Sequence, residues 1–291
     1  MAFQPKVSIV IPTYNRAHTV GESIASVLQQ TFKQWELIVV DDGSTDATYT
    51  ELREAYSDHP QVKIIRIENS GAAFARNAGV SLSTSPIITF LDSDDTVVPH
   101  WLETMLPIMN EQRADVMSCA TTHYRTNGEV IVTVPQIKPG ALFSYRLKMT
   151  NGGSFFLRKA IFEAVGGYDG QLRAGQHSEL AIRIARYLRE NNGRVAYTDE
   201  PLVNVIDRGG KSIRKNDRAV FEGMRRCVEV HRDYLRRVDT NLLHHYLSAA
   251  GARGLRVAEV SEARAYLREA ITIKPLYLKG IARLVRSYLP I

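Results

Sequence analysis

The sequence predicts an α/β domain built on a mixed sheet, followed by a helical C-terminal subdomain. In the first hundred residues, a short apolar run, a polar loop and a stretch of helical spacing recur three times. That alternation favours parallel strands with helices on both faces of the sheet. Beyond residue 216 the apolar spacing is helical. We predict a domain of residues 1–215, with halves 1–100 and 101–215, and a helical subdomain of residues 216–291.

The predicted elements of the first half bring polar loops to one edge of the sheet. Strands are predicted at Lys6–Pro12, Trp35–Val40, Val62–Ile67 and Pro86–Leu91, and helices at His18–Gln30, at Ala47–Tyr56 and from about Pro99. Polar loops at residues 12–16, 41–44, 69–77 and 92–95 follow the four strands. Ligands of such sheets bind at the carboxyl ends of the strands. The loops therefore predict a nucleotide-sized polar cleft.

Three carboxylates lie within four residues at the end of the fourth strand, at Asp92, Asp94 and Asp95. Like charges this close repel, and keeping all three ionised calls for a cation. An all-oxygen cluster suits Mg²⁺ or Mn²⁺ better than zinc. The alternative is that Asp94 and Asp95, with Thr96, cap the helix that begins near Pro99.

Composition and charge narrow the class of protein. The chain has 291 residues, of which 44% are hydrophobic and 23% charged, as in ordinary soluble proteins. Two cysteines without metal-ligand spacing, no signal peptide and no apolar stretch of membrane-spanning length predict a cytoplasmic protein. Net charge rises from −5 over residues 1–100 to +2 over 101–200 and +9 over 201–291. This asymmetry suggests an anionic ligand or surface near the C-terminal part, or solvated arginines on helix faces.

Six segments in order and spacing resemble the motifs of family 2 glycosyltransferases. They are Val7–Arg16, Val40–Asp46, Asn69–Asn77, Leu91–Asp95, Asn151–Arg158 and Val165–Asp169. The resemblance implies a GT-A nucleotide-sugar-binding domain of Rossmann-like type and an inverting, metal-dependent glycosyltransferase. No Gly-rich loop ending in Gly-Lys-Ser/Thr and no Gly-x-Gly-x-x-Gly follows the first strand. A bound nucleotide would be held by metal and side chains instead.

The resemblance also implies roles for single residues. Asp42 matches the position that hydrogen-bonds the donor base, usually uracil, and Arg76 matches a donor-contacting arginine. Asp92 and Ser93 belong to the Asp-x-Asp signature, in which the first carboxylate faces the ribose. Asp94, with Asp95 beside it, would bind Mn²⁺ or Mg²⁺. The remaining donor-binding positions, which would line the base and ribose pocket, are Pro12, Thr13, Tyr14 and Arg16.

The sequence departs from the family at the position of the catalytic base. Most relatives carry a Glu-Asp pair at the start of a helix, and here the matching residues are Gln176 and His177. A neutral histidine can accept a proton near pH 7, and a helix N-terminus would keep it neutral. Glu179 is the alternative base. A surface histidine on an enzyme of weak or lost activity is the third interpretation.

The basic C-terminal part gives two further predictions. Arg208 and Lys211 lie in a Gly-containing loop that resembles the segment closing on the diphosphate, although a solvated turn would look the same. Three helices are predicted at Asp217–Val238, Asn241–Ala250 and Val260–Ile273. A last helix, within residues 276–289, is basic and amphipathic. It suits the anionic inner face of a membrane, or docking on its own domain.

These observations predict transfer of a hexosyl or N-acetylhexosaminyl group from a nucleotide-sugar donor, most simply a UDP-sugar. The acceptor expected from the family is a glycan or lipid-linked oligosaccharide of cell-surface polysaccharide synthesis. We expect no nucleic-acid partner. The alternatives are a sugar-1-phosphate nucleotidyltransferase and a non-catalytic scaffold that binds nucleotide sugars or glycans.

Overall fold

The structure is a computed structural model that describes residues 4–135, 149, 151–209 and 216–288. The chain divides into two compact units. One comprises Met1–Gly170 and Leu180–Gly210, and the other Gln171–Glu179 and Lys211–Ile291. The segment Gln171–Glu179 is thus grouped with the C-terminal helices.

The first hundred residues form the predicted alternation of strands and helices. Its elements are β1 (Val7–Thr13), α1 (Val20–Leu28), β2 (Trp35–Asp41), α2 (Thr48–Tyr56), β3 (Val62–Arg66), α3 (Ala72–Ser81) and β4 (Ile87–Phe90). These strands are parallel neighbours in the order β3-β2-β1-β4. Thr13 lies opposite Asp41, and Asp41 opposite Arg66, so the carboxyl ends of three strands share one edge.

The second half of this unit completes the sheet. Its elements are β5 (Thr96–Val97), α4 (Trp101–Glu111), β6 (Val116–Tyr124), β7 (Val130–Thr133), β8 (Phe155–Arg158), α5 (Lys159–Ala164), α6 (Gln176–Glu190) and β9 (Val195–Ile206). The strand order is β3-β2-β1-β4-β8-β6-β9-β5, with β7 paired to β6. Because β8 runs antiparallel to both β4 and β6, the sheet is mixed, as predicted.

Both faces of β1, β2 and β4 are buried, and these three strands are mostly apolar, whereas the edge strand β3 is only partly buried. Ile9 and Ile11 of β1 belong to the core on the α1 and α4 side. Val10 belongs to the core that includes α3 and α5. A Cβ atom at Gly79 would lie 2.3 Å from Cγ1 of Val10. Glycine at position 79 therefore lets α3 pack directly on the sheet.

The helical unit is a series of antiparallel helices. They are α7 (Asp217–Val238), α8 (Thr240–Arg256), α9 (Val260–Ile273) and α10 (Leu278–Arg286). The side chains of Asn216 and Asp239 cap α7 and α8 by accepting from the backbone amides of Ala219 and Leu242. Each helix packs against the next along the chain.

Two local predictions are wrong. The prediction ended α8 at Ala250, before a glycine, but the helix continues to Arg256. A Cβ atom added at Gly251 or Gly254 would lie within 3.0 Å of side-chain atoms of α9. Glycine at these positions therefore allows α8 and α9 to pack closely.

The alternative in which Asp94 and Asp95 cap a helix is also wrong. The short strand β5 follows them, and His100 is the N-cap of α4.

A buried carboxylate links three strands at the edge opposite the polar loops. Glu36 of β2 accepts hydrogen bonds from the Ser8 hydroxyl at 2.6 Å, from Lys63 at 2.9 Å, and from the amide and hydroxyl of Thr84 at 2.6 and 2.8 Å. Burial opposes ionisation of Glu36, but these donors outweigh it and lower the pKa to about 2.

This network makes stability depend on pH. Since the pKa of Glu36 is lower in the folded chain than in the unfolded chain, its stabilisation is present above about pH 4.5 and is lost toward pH 2. We expect Glu36→Gln to lower the free energy of unfolding by roughly 2 kcal/mol at pH 7 and by less at pH 3. Urea unfolding at both pH values measures this. Exposed Glu51→Gln is the control, and a loss independent of pH would contradict the assignment.

Candidate functional site

The loops after β1 and β2 are joined by Asn15. Its backbone amide donates to the Ser44 hydroxyl at 2.9 Å, and its side-chain oxygen accepts from the Thr45 amide at 2.8 Å. Asn15 adopts a φ of 51°, a conformation that asparagine tolerates better than most residues. At the adjacent ends of β1 and β2, the Asp42 amide donates to the carbonyl of Thr13 at 2.8 Å. The two loops thus form one continuous rim.

Asp42 holds the beginning of α3. One carboxylate oxygen accepts from the Ser70 amide at 2.8 Å and the other from the Gly71 amide at 2.9 Å. The side chain of Asn69 donates to the Asp42 carbonyl at 2.8 Å. Gly71 has a φ of 98°, which glycine adopts without strain. Asp42 is buried and anchors this turn, and its carboxylate retains lone pairs for a further donor.

The three carboxylates of the acidic cluster lie in different environments. Asp95 is 3% exposed, and its oxygens accept from the Ile206 amide at 3.2 Å and the Asn151 side chain at 3.4 Å. Burial, and then the charges of Asp92 and Asp94, raise the pKa of Asp95 well above its usual value. Asp95 therefore ties the cluster to β9 and to residue 151.

Asp94 is the most exposed of the three, at 42% against 25% for the Asp92 side chain. Partial burial and the charge of Asp92 raise the pKa of Asp94, while Arg16 and Arg208 act in the opposite direction. An Arg16 nitrogen lies 3.9 Å from an Asp94 oxygen. Asp94 thus presents a carboxylate to solvent at the carboxyl edge of the sheet.

Asp92 is paired with Arg76 of α3. An Arg76 guanidinium nitrogen donates to Asp92 at 2.7 Å, and the guanidinium lies over the ring of Tyr168, 5.4 Å from its centroid. Asn77 exchanges two hydrogen bonds of 2.9 Å with the backbone of Tyr168. Burial raises the pKa of Tyr168, so its ring is neutral. These contacts connect the acidic cluster with the segment around residue 168.

The other predicted donor-binding residues vary in exposure. Pro12, Thr13 and Ser93 are buried, whereas Tyr14 is exposed. Arg208 donates to Glu22 of α1 at 2.5 Å. Lys211 lies outside the described residues. Among those that are described, Thr13 Oγ1 and Asp41 Oδ1 are buried oxygens without a hydrogen-bond partner, on facing residues of β1 and β2.

The two predicted base residues lie in the helical unit, at the start of α6. His177 is partly exposed. Glu179 is 2% exposed, and its Oε1 lies 2.9 Å from Nε2 of His231 on α7. Glu179 is therefore engaged inside its own unit.

Within the described residues, no three His, Cys, Asp or Glu side chains converge in a way that could hold a metal ion. The described helices also include none with the length and apolar character needed to cross a membrane.

Sequence reasoning missed the positioning residues Asn15, Asn77, Asn151 and Tyr168. Three of these lie inside motifs that the sequence analysis quoted, and Asn151 begins another. Their motifs were therefore visible in the sequence. Their contacts span 29 to 91 residues along the chain, which no local pattern reveals.

The fold is that of GT-A glycosyltransferases. The crystal structure of residues 1–349 of TarS from S. aureus, in complex with UDP-GlcNAc, matches with a TM-score of 0.69 and 21% identity. The match covers 97% of this chain and 89% of that one. A sequence model described as glycosyl transferase family 2 matches residues 8–174, more than half of the chain. The protein belongs to glycosyl transferase family 2.

Two curated relatives each match less than half of the chain. The uncharacterized glycosyltransferase YibD of Escherichia coli (strain K12) is 34% identical over 132 residues, 45% of this chain and 38% of YibD. The UDP-Glc:alpha-D-GlcNAc-diphosphoundecaprenol beta-1,3-glucosyltransferase WfgD of Escherichia coli is 41% identical over 112 residues, 38% of this chain and 44% of WfgD. The match spans less than half the length of either relative.

Proposed function

We propose that the protein is an inverting glycosyltransferase that moves a sugar from a nucleotide diphosphate donor to an acceptor hydroxyl. The observation that carries this proposal is the edge where β1, β2 and β4 end. There the exposed Asp94, the Arg76–Asp92 pair and Arg16 lie together in a family 2 chain. Cations beside carboxylates suit a ligand that brings both a divalent ion and phosphate groups.

The residues present fit a divalent cation bound together with the donor. Asp95 accepts from protein donors and Asp92 pairs with Arg76, so Asp94 is the carboxylate best placed to bind the ion. Mg²⁺ is commonly held by one or two carboxylates plus substrate phosphates. We therefore propose Mn²⁺ or Mg²⁺ at Asp94. When bound, the ion would offset the negative charge that develops on the departing nucleoside diphosphate.

The donor base and ribose are proposed to lie against the rim formed by the loops after β1 and β2. Asp42 can accept one more hydrogen bond there, and the buried oxygens of Thr13 and Asp41 would gain a partner. Arg16, Arg76 and Arg208 supply positive charge for the diphosphate. We propose a UDP-sugar, with a hexosyl or N-acetylhexosaminyl group, because TarS was crystallised with UDP-GlcNAc.

His177 is proposed as the general base that deprotonates the acceptor hydroxyl. Glu179, the alternative base, is almost fully buried and hydrogen-bonded to His231, whereas His177 is partly exposed. A base must reach the proton that it accepts, so exposure favours His177.

The proposed acceptor is a glycan or lipid-linked oligosaccharide of cell-surface polysaccharide synthesis. WfgD is named for transfer to a GlcNAc-diphosphoundecaprenol, a lipid-linked sugar. The competing functions are those of a sugar-1-phosphate nucleotidyltransferase and of a non-catalytic scaffold. Release of diphosphate from a nucleoside triphosphate would indicate the first, and metal-dependent donor binding without turnover the second.

We also propose that α10 contacts the inner face of an anionic membrane. One side of α10 docks on α9, and just beyond the end of α10 the Tyr288 ring lies 3.9 Å from the guanidinium carbon of Arg264 on α9. Leu276 and Leu278 stay exposed, at 91% and 74%. Beyond Glu269 the sequence has four basic residues and no acidic one. Exposed apolar side chains beside basic ones suit anionic lipid headgroups.

Substitutions at neighbouring carboxylates separate metal binding from structure. We expect Asp94→Asn to abolish Mn²⁺-dependent binding of UDP while leaving the melting temperature nearly unchanged, because this side chain faces solvent. Asp95→Ala should lower the melting temperature, because the Ile206 amide and the Asn151 side chain lose their buried acceptor. Calorimetric titration of UDP with and without Mn²⁺ and thermal unfolding measure the two effects. Full metal-dependent binding in Asp94→Asn would refute the assignment.

Replacing the proposed base should affect turnover rather than donor affinity. We expect His177→Ala to lower kcat by about 10²- to 10⁴-fold with donor affinity nearly intact, and His177→Asp to recover part of the loss. Activity should fall at acidic pH, because a protonated histidine cannot accept the proton. The pH profile of the His177→Ala variant should lack this fall in activity at low pH. A large kcat defect in Glu179→Gln beside an unaffected His177→Ala would move the base to Glu179.

Membrane binding should depend on the charge of α10. We expect Lys279→Gln combined with Arg286→Gln to weaken binding to vesicles containing phosphatidylglycerol by about 30-fold, at about 1 kcal/mol per charge. Vesicle co-sedimentation measures the affinity. Arg53→Gln combined with Arg237→Gln, both exposed and outside α10, is the charge-matched control. Equal binding of neutral and anionic vesicles would contradict the proposal.

A further inference from the structure

The segment Gln171–Glu179, which carries His177, is part of the helical unit. It forms a tight turn into α6. Gly175 has a φ of 77°, the Gln176 side chain donates to the Leu172 carbonyl at 2.6 Å, and the Glu179 amide donates to the Gly175 carbonyl at 3.0 Å. The backbone on both sides of His177 is therefore well defined.

Helix α7 contacts this segment at two points. Nε2 of His231 lies 2.9 Å from Oε1 of Glu179, and both side chains are at most 6% exposed. A buried carboxylate requires such a partner, so the pair fixes the first turn of α6. A Cβ atom at Gly223 would lie 2.4 Å from the Ala174 carbonyl oxygen. Only glycine at position 223 allows α7 to pack this closely.

Helix α8 supplies a third contact, between Tyr246 and the residue that follows His177. The side chains of Tyr246 and Ser178 are hydrogen-bonded. Burial, with Glu179 and Cys227 nearby, raises the pKa of Tyr246, so its hydroxyl keeps its proton. The three contacts come from two helices and reach residues 174, 178 and 179.

We infer that Gly223, His231 and Tyr246 form a clamp that positions His177 for proton transfer. These are positioning residues, because their described contacts are to the segment Gln171–Glu179. Proton transfer needs the base within hydrogen-bonding distance of the acceptor hydroxyl, so a mobile segment would lower the rate. The link to turnover rests on the proposed role of His177.

Two variants of the full chain test the clamp. Tyr246→Phe removes one hydroxyl, and His231→Leu removes the partner of Glu179. We expect amide hydrogen exchange in residues 171–179 to accelerate at least tenfold in both. We also expect kcat, followed as UDP release from UDP-GlcNAc, to fall about tenfold. The Kd for UDP with Mn²⁺ should change less than twofold. His231→Gln, whose amide can still donate to Glu179, should restore part of kcat.

Matched controls lie elsewhere in the same unit. Tyr266→Phe on α9 and His244→Gln on α8 change buried side chains of the same types, and should leave exchange at residues 171–179 and kcat unchanged.

Unchanged exchange in Tyr246→Phe and His231→Leu would overturn the clamp. Faster exchange with wild-type kcat would overturn its role in positioning. If His177→Ala keeps full kcat while the clamp variants lose it, the proposed base fails and the clamp acts through another residue of the segment. If the wild type releases no UDP, the donor assignment fails, and exchange alone decides the clamp.

Discussion

Electrostatic crowding at the end of β4 is the constraint on which the rest of this site depends. Three carboxylates lie within four residues of a partly buried loop, where their negative charges repel one another. All three can be ionised only if positive charges or hydrogen-bond donors lie beside them. Each carboxylate has a different partner in the structure. Asp92 pairs with Arg76, and Asp95 accepts hydrogen bonds from the Ile206 amide and the Asn151 side chain. Asp94 faces solvent near Arg16. Asp94 is thereby the most exposed carboxylate of the three, while Asp92 and Asp95 accept hydrogen bonds from protein donors.

The same pairing joins the two halves of the sheet-containing unit. Arg76 contacts Asp92 on one side and the Tyr168 ring on the other, and Asn77 holds the Tyr168 backbone. Removing one partner from a buried ion pair typically costs about 3–5 kcal/mol. Adjacent residues of α3 therefore couple the donor side of the sheet to the segment that follows α5.

The helical unit has an interior that contacts the segment of His177 and a last helix that is partly exposed. Its interior side chains from α7 and α8 reach the segment that carries His177. Its last helix packs on α9, and Leu276 and Leu278 at the start of that helix stay exposed beside basic residues. The sequence placed all apolar residues of that helix on one side. The structure divides them, because Tyr277, Ile281 and Leu284 are partly buried while Leu278 and Val285 face solvent.

The sequence by itself determined the strands and helices of the first hundred residues, the mixed α/β class and the family. Local periodicity encodes the strands and helices, and the resemblance to family 2 motifs indicated the family and the candidate site residues Asp42, Asp94 and Arg76. Tertiary structure decided what each carboxylate does, because burial and partners such as Asn151 and Ile206 are far away in sequence. It also decided that Glu179 is buried against His231 and that Gly251 lies inside α8. The effect of a glycine or a carboxylate depends on what packs against it, and those neighbours come from other elements of the fold.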